Sequence, residues 1–436
     1  MTDVQIALSL VGLVVALVVL GLDIGIALLS LSFVGVWMIK GNLVVAEKLV
    51  SMAAYTGIQE YVFATIPLFV LMGMLIAVSD VGKDTFDVAG WALRKVAGGL
   101  GMATVASNTV FAAVTGVSIA SASVFTKVAV PEMLRHGYSP AFAVGTVAGS
   151  SILGMLIPPS VLLIIYGVVA EESIGKLFIA GIVPGVLMAL AFCLTIYLIC
   201  VYFKNWAGNP KQSDVVDLHQ DMHWKEAAIK FAPIASLVVL MLGGLYGGFF
   251  TPTEAGAVGA FGALLLALAR RRLDKRRLWK CLLETGYVSV AILFLLITAA
   301  MYSRMIALAG MPEWLGSLIQ GHGPYVFLSG YIVILLLLGM ILDSTSILLI
   351  LTPLAVPIAR AFGMDLVWFG LITVIVVEIG LLTPPLGLSA ISVKASLADQ
   401  RIKLSTVFAG CMPFVAAMLL VTALLIAFPK IVTFLL

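Results

Sequence analysis

Charge is what this chain has least of. Asp, Glu, Lys and Arg make up 11% of its 436 residues, hydrophobic residues 62%, and the net charge is +3. That balance excludes an ordinary soluble domain and marks a polytopic membrane protein. Long polar domains and low-complexity tails are missing. Cysteine is scarce: Cys193, Cys200, Cys281 and Cys411 lie in or beside apolar runs without metal-type spacing. They read as small apolar fillers. His136, His219, His223 and His322 show no ligand spacing either. There is no phosphate-binding glycine loop, Ser-His-Asp set or HExxH, so neither an enzyme nor a cofactor is expected. The start, MTDVQ, holds an acid and no basic region, unlike a cleaved signal peptide.

What is present is a pair of interrupted apolar runs, GSSILGMLIPPS (149–160) and EIGLLTPPLG (378–387). Proline has no N–H and clashes with the preceding turn. Two in a row free several backbone groups that hydrocarbon cannot satisfy. Such a break is tolerated at membrane depth only where it is buried or lines a polar cavity, and it then offers a binding surface. The run 139–170 has 32 residues. As one straight helix it would reach about 48 Å, against an apolar core of roughly 30 Å. An unwound middle at 156–160 accommodates the excess.

In order, apolar runs at 4–21, 24–39 and 61–78 predict crossings, with an amphipathic interfacial stretch at 41–59. A charged segment follows, with Lys83, Asp84, Asp87, Arg94 and Lys95. Residues 96–134 read as a re-entrant hairpin with a small polar tip, TGVSIASAS, because both flanks are basic. Two packed helices with a small-residue seam are the alternative. After the first broken helix, 177–203 returns and 204–230 is a polar loop. Crossings at 231–248 and 253–269 precede RRRLDKRRLWK (270–280), whose seven basic residues place it in the cytoplasm rather than on nucleic acid. A crossing at 282–309, a Gly/Pro loop at 310–323, a second hairpin at 325–361, a second broken helix at 366–394 and a last crossing at 404–428 complete the chain.

One offset relates the two parts. Pro131 and Pro357 lie 357 − 131 = 226 positions apart, as do Pro158 and Pro384, Pro159 and Pro385, Gly137 and Gly363, and Gly154 and Gly380. With 17 prolines in the chain, three coincidences point to duplication. Two repeats are expected, 1–226 and 227–436. With 270–280 inside, the hairpins enter from opposite sides and both termini lie outside. The expected fold is therefore an all-α polytopic membrane protein: an inverted repeat with about ten crossings, two re-entrant hairpins and two broken helices. Its site falls at the midplane, where tips meet breaks.

Oxygen-bearing side chains gather there: Thr115, Ser118, Ser121, Ser123, Ser150 and Ser151 in the first half, and Asp343, Ser344, Thr345, Ser346 and Thr383 in the second. Hard cations prefer oxygen ligands. Asp343 and Glu378 are acids at membrane depth, where such groups are costly and functional by default. Asp343 also suits a helix N-cap. Glu378, opposite Ile152 in the first half, could bind a cation, exchange a proton or tie the broken helix to a neighbour. Arg304 could attract an anionic solute or snorkel to the headgroups. Substrate contact is assigned to Ser150, Ser151, Ser346, Glu378 and Arg304. Glu254 is expected to cap its helix.

The stretches LGMLIPPS (153–160), TPTEAGAVGA (251–260), GMILDSTSILLILTP (339–353) and EIGLLTPPLGL (378–388) resemble the large membrane subunit of tripartite ATP-independent periplasmic (TRAP) transporters. With the hairpin order the resemblance spans nearly the whole chain. It implies Na⁺-driven uptake of an organic acid by an elevator motion, in the bacterial inner membrane. It further implies a periplasmic solute-binding protein and a separately encoded small four-helix membrane subunit as partners. Carried over, the Na⁺ ligands are Ser118, Ser121 and Gly154 in one half, and Asp343, Ser344, Gly380 and Thr383 in the other. The first tip is poorer in glycine than the family pattern. A one-component ion-coupled carboxylate carrier or exchanger is the rival reading. An intramembrane enzyme is a second rival, for which no nucleophile with a base is visible.

Overall fold

The computed structural model describes residues 2–116, 118–208, 222–319, 321–399 and 401–436. Of the polar loop expected at 204–230, residues 209–221 with His219 lie outside the described residues, while 204–207 and 224–230 are helical. Among the described residues every regular element is helical, with one isolated bridge between Tyr138 and Gly208.

The first half comprises α1 (Asp3–Val19), α2 (Ile24–Lys40), α3 (Leu43–Gln59), a 3₁₀ turn (Tyr61–Ala64), α4 (Thr65–Val78) and α5 (Val81–Leu93). The first hairpin is α6 (Gly99–Thr115) with α7 (Ser118–Arg135). The first broken helix is α8 (Pro140–Ser151), α9 (Leu153–Leu156) and α10 (Val161–Ala170). Helices α11 (Ile174–Tyr202) and α12 (Lys204–Ala207) follow. The second half has α13 (Trp224–Tyr246), α14 (Pro252–Ala269), α15 (Lys275–Leu308) and α16 (Met311–Ile319). Its hairpin is α17 (Pro324–Gly339) with α18 (Ser344–Ala361), and its broken helix α19 (Leu366–Gly380) with α20 (Leu388–Ser396). The chain finishes with α21 (Leu404–Ala427) and α22 (Lys430–Thr433).

Local chemistry sets these boundaries. An N-cap side chain accepts a backbone N–H that the helix leaves unpaired. Asp23, Asn42, Ser139, Ser160, Ser173, Asp274, Asp343 and Asp365 each do so at the start of a helix. Thr251 and Glu254 form a reciprocal capping box at α14, so Glu254 caps as expected.

Helices recur at the 226-residue offset. α7 starts at Ser118 and α18 at Ser344; α8 starts at Pro140 and α19 at Leu366. α3 and α4 correspond to the single 34-residue helix α15. α4 runs antiparallel to its own counterpart in α15. The Cys281 thiol, near the start of α15, points at the carbonyl of Met74, near the end of α4, at 3.8 Å. At the other end Thr65 shares a cleft with Leu296 and Ala300.

α4 and α14 run parallel as neighbours. Thr65 and Thr253 hydroxyls meet at 2.7 Å at one end. At the other, Arg270 pairs with Asp84, and Arg272 with Asp80 at 3.1 Å. The basic stretch and the segment after α4 therefore share one face of the protein.

One expected loop becomes a helix, and two charged stretches gain a shape that their charge alone did not give. The charged segment 83–95 is mostly helix α5, whose Val81, Phe86 and Gly90 are buried. The loop expected at 310–323 contains α16, an amphipathic helix that buries Met311 and Pro312. The basic residues from Lys275 to Lys280, placed in the sequence only by their charge, form the first turns of α15. Short amphipathic helices lack the long apolar run that identifies a crossing, and their glycines and prolines read as loop. By length and composition seven described helices can cross a membrane, or nine when each of two bent pairs counts as one span. Shorter apolar helices of 15 to 17 residues, α1, α2, α6 and α19, come in addition.

Candidate functional site

Each hairpin tip is sealed onto the break of its own half. In the first, the Val161 amide donates to the carbonyl of Gly116, 3.3 Å away. Gly116 has φ +63°, and a Cβ there would fall 2.4 Å from the Pro159 carbonyl oxygen. Only glycine fits both the left-handed backbone and the close approach. Ser160 restores part of the interrupted ladder. Its hydroxyl donates to the Met155 carbonyl at 2.5 Å and accepts from the Leu163 amide at 3.2 Å. In the second half the amides of Leu386 and Gly387 donate to the Met340 carbonyl at 3.2 and 3.4 Å. Both Pro-Pro peptides are cis.

The halves interlock at this centre. α10, the far leg of the first broken helix, packs on α18 of the second hairpin. α20, the far leg of the second, packs on α7 of the first hairpin. Helix ends of both polarities converge. The N-termini of α7 and α18 bring partial positive charge, and the C-termini of α6, α17 and α19 bring partial negative charge.

In the first half Ser121 and Ser150 are brought together through a residue the sequence reading missed. Asn108 of α6 is fully buried. Its Nδ2 donates to Ser150 Oγ at 2.5 Å, and its Oδ1 accepts from Ser121 Oγ. Ser150 Oγ in turn donates to the Thr146 carbonyl at 2.7 Å. Ser118 is buried as the first residue of α7, and Gly154 is buried within α9. Ser151 donates to the Ala148 carbonyl of its own helix at 2.8 Å.

In the second half Ser344 Oγ donates to Glu378 Oε1 at 2.8 Å. Glu378 is 2% exposed, and its Oε2 is buried without a hydrogen-bond partner. Asp343 is the N-cap of α18: it accepts from the Ser346 amide at 3.0 Å and from the Ser346 hydroxyl. Thr383 Oγ1 donates to the Gly380 carbonyl at 2.7 Å. Gly380 also has a packing role. A Cβ on it would stand 2.6 Å from Gly339 Cα, so α19 and α17 touch backbone to backbone. Arg304 sits at a different seam, where its guanidinium donates to the Leu49 carbonyl of α3 at 3.3 Å.

A cleft of about 710 Å³ lies elsewhere, between α3, the start of α14, α15 and the turn joining α10 to α11. Glu60, Glu171 and Glu172 line it, and none of the tip serines does. Three carboxylates would repel an anion, so the chemistry is better sought at the tips. Among the described residues no cluster of His, Cys, Asp and Glu could hold a metal ion.

The family profile described as "Tripartite ATP-independent periplasmic transporter, DctM component" matches residues 11–431. The chain is similar to the C4-dicarboxylate TRAP transporter large permease protein DctM of Pseudomonas aeruginosa, with 35% identity covering 76% of each chain. It is similar to the sialic acid TRAP transporter large permease protein SiaM of Vibrio cholerae, at 32% identity and 86% of each chain. The ectoine TRAP transporter large permease protein TeaC of Halomonas elongata is 30% identical over 98% of each chain. Among solved structures, the YdaH transporter of Alcanivorax borkumensis matches with a TM-score of 0.58 at 14% identity, covering 85% of this chain and 87% of that one. MtrF of Neisseria gonorrhoeae gives 0.56 at 13% identity, covering 87% and 83%. At those identities the structures speak for the fold alone. The profile and relatives carry the assignment: this chain belongs to the tripartite ATP-independent periplasmic transporters, as a large permease subunit of the DctM type.

Proposed function

We propose that the chain drives Na⁺-coupled uptake of an organic acid across the bacterial inner membrane. A periplasmic solute-binding protein hands over the solute, and a small membrane subunit completes the complex. One relative, the isethionate permease protein DctMQ of Oleidesulfovibrio alaskensis, is matched over only 59% of its length. That fits a large subunit that elsewhere stands beside, or fused to, a second membrane part.

The observation that carries the reading is the pairing of tip and break in each half. Both junctions present serine hydroxyls, backbone carbonyls and helix C-termini, the donor set a hard cation prefers. Ser118, Ser121 and Gly154 are proposed for one ion, and Asp343, Ser344, Gly380 and Thr383 for another. The helix N-termini at the same centre suit a carboxylate or sulfonate group. Glu378 is better placed as a partner of Ser344 than as a solute contact, since it is buried and its Oε1 already accepts from the Ser344 hydroxyl. Arg304, bonded to α3, is proposed to anchor that helix.

The halves 1–226 and 227–436 are proposed to be inverted copies. Support comes from α4 running against its counterpart in α15, and from the reciprocal packing of α10 on α18 and α20 on α7. In an elevator cycle the hairpins and broken helices would move together against α4, α14 and α15. Each net positive charge moving down 100 mV supplies about 2.3 kcal/mol, so two Na⁺ travelling with a singly charged acid carry one net charge and support roughly fortyfold accumulation from the potential, at about 1.4 kcal/mol per tenfold, with the Na⁺ gradient adding to it.

The test is uptake into proteoliposomes holding the complete complex with its solute-binding protein. Labelled succinate, sialic acid, ectoine and isethionate are the probes, after the solutes named for the relatives. At least one probe should accumulate under an inward Na⁺ gradient and fail to do so when K⁺ replaces Na⁺. Accumulation indifferent to Na⁺ would reject the coupling. Accumulation by this chain alone would favour a one-component carrier.

A further inference from the structure

We infer that Asn108 is a positioning residue for the first cation site, aiming the Ser121 hydroxyl hydrogen away from the ion. The inference rests on the proposal that a cation binds at the first tip. Its basis is the direction of a hydrogen-bond chain, which the partners themselves determine.

Ser150 Oγ lies 2.7 Å from the Thr146 carbonyl oxygen, which can only accept. The single Ser150 hydroxyl hydrogen is therefore committed to carbonyls of its own helix, Thr146 and, at 3.3 Å, Val147. Toward Asn108, Ser150 can then only accept, so the amide nitrogen must face it, at 2.5 Å. This fixes which way round the Asn108 amide sits, a choice that atomic positions alone leave ambiguous. Oδ1 consequently faces Ser121, and Ser121 must donate to it.

The result matters at the tip. A serine has one hydrogen and two acceptor lone pairs. With its hydrogen committed to Asn108, fully buried Ser121 has only lone pairs left to offer. Any further partner must be a donor or a cation. Without Asn108 the hydroxyl would turn to another acceptor, or present its hydrogen to the site. The second half achieves the same end with different groups: Ser344 is committed to Glu378, and Ser346 to Asp343. Position 334, the counterpart of Asn108, is isoleucine, so the device in the first half is not inherited from the repeat.

Asn108 also joins α6 to α7 and α8. A role confined to that packing must be separated from the one proposed. The experiment is a double-mutant cycle on the purified chain with its small membrane subunit. Its readout is the concentration of Na⁺, Li⁺ or K⁺ giving half-maximal thermal stabilisation. Asn108→Ala should raise the half-saturating Na⁺ concentration about tenfold. Ser121→Ala should do likewise, and the double variant should be no worse than Ser121→Ala, because Asn108 acts through Ser121. Asn108→Asp keeps the acceptor for Ser121 but gives up the donor to Ser150, so it should cost thermal stability while leaving Na⁺ affinity undiminished, which separates the two roles if the alanine variant fails to fold.

Additive losses in the double variant would overturn the inference in favour of simple packing. So would an Asn108→Ala protein with wild-type Na⁺ response, or an Asn108→Asp protein as weak as alanine. A wild-type complex with no saturable response to any of the three cations would overturn the cation reading itself, and this inference with it.

Discussion

Glu378→Leu is expected to cut uptake more than about tenfold while leaving the protein stable. The carboxyl group is buried, and its Oε1 accepts a hydrogen bond from Ser344 at 2.8 Å. Leucine fills a similar volume but offers no acceptor. Ser344 would then be left with an unpaired hydroxyl hydrogen at the second tip, a penalty of about 1–3 kcal/mol. Since about 1.4 kcal/mol is a factor of ten in an equilibrium, cation occupancy at that tip should fall accordingly. The fold should lose less than that penalty alone, because leucine also removes Glu378 Oε2, a buried oxygen without a hydrogen-bond partner. Glu378→Gln retains an oxygen for the Ser344 proton and should lose less. Initial uptake rates and melting temperatures of the purified complex check both statements. A leucine variant that transports normally would remove Glu378 from the mechanism, and one that fails to assemble would make it a structural tie.

The second large effect concerns a single methyl group. Gly116→Ala should abolish transport, whereas Gly363→Ala should leave most of it. Both glycines have positive φ, +63° and +68°. Each alanine therefore incurs the left-handed penalty of roughly 1–2 kcal/mol. They differ in surroundings. A Cβ at 116 meets the Pro159 carbonyl at 2.4 Å, while a Cβ at 363 meets nothing within 4 Å. Overpacking adds about 1–3 kcal/mol at the first position only. The bond from Val161 to Gly116 is the seal between tip and break, and it is the contact most directly forced apart. Rates of uptake for the two variants, measured side by side, decide the matter. Equal rates would show that the seal is not needed.

Much of this site can be read from the chain because membranes permit few solutions. A Pro-Pro pair inside an apolar run has to be an interruption, and α9 ends at Leu156 and α10 begins at Val161 as that argument requires. The first hairpin follows from a small polar tip between two basic flanks, and the second from its polar tip at the same offset as the first. Asp343 and Glu254 cap their helices because Asp and Glu near a helix start have a local partner within three residues. Interactions between distant positions are another matter. Asn108 looks like one polar residue in an apolar helix, and its partners stand 13 and 42 residues away. The available signal was its amide at membrane depth, a group that demands partners there. Gly380 invites a ligand reading from its place in the motif, yet its missing Cβ is also required by Gly339 of another helix. Arg304 has a long side chain, and nothing local indicates that it bonds to Leu49. Helix α16 escaped because a half-buried amphipathic segment resembles a loop when its glycine and proline are weighed alone.

The account turns on coupling ions held at both tips, so equilibrium binding of radioactive Na⁺ to the purified complex tests it most directly. Wild type should bind Na⁺ saturably. Ser121→Ala and Ser344→Ala should each remove part of that binding, and together they should remove nearly all of it. Saturable binding that survives both substitutions, or no saturable binding in wild type, would contradict the account.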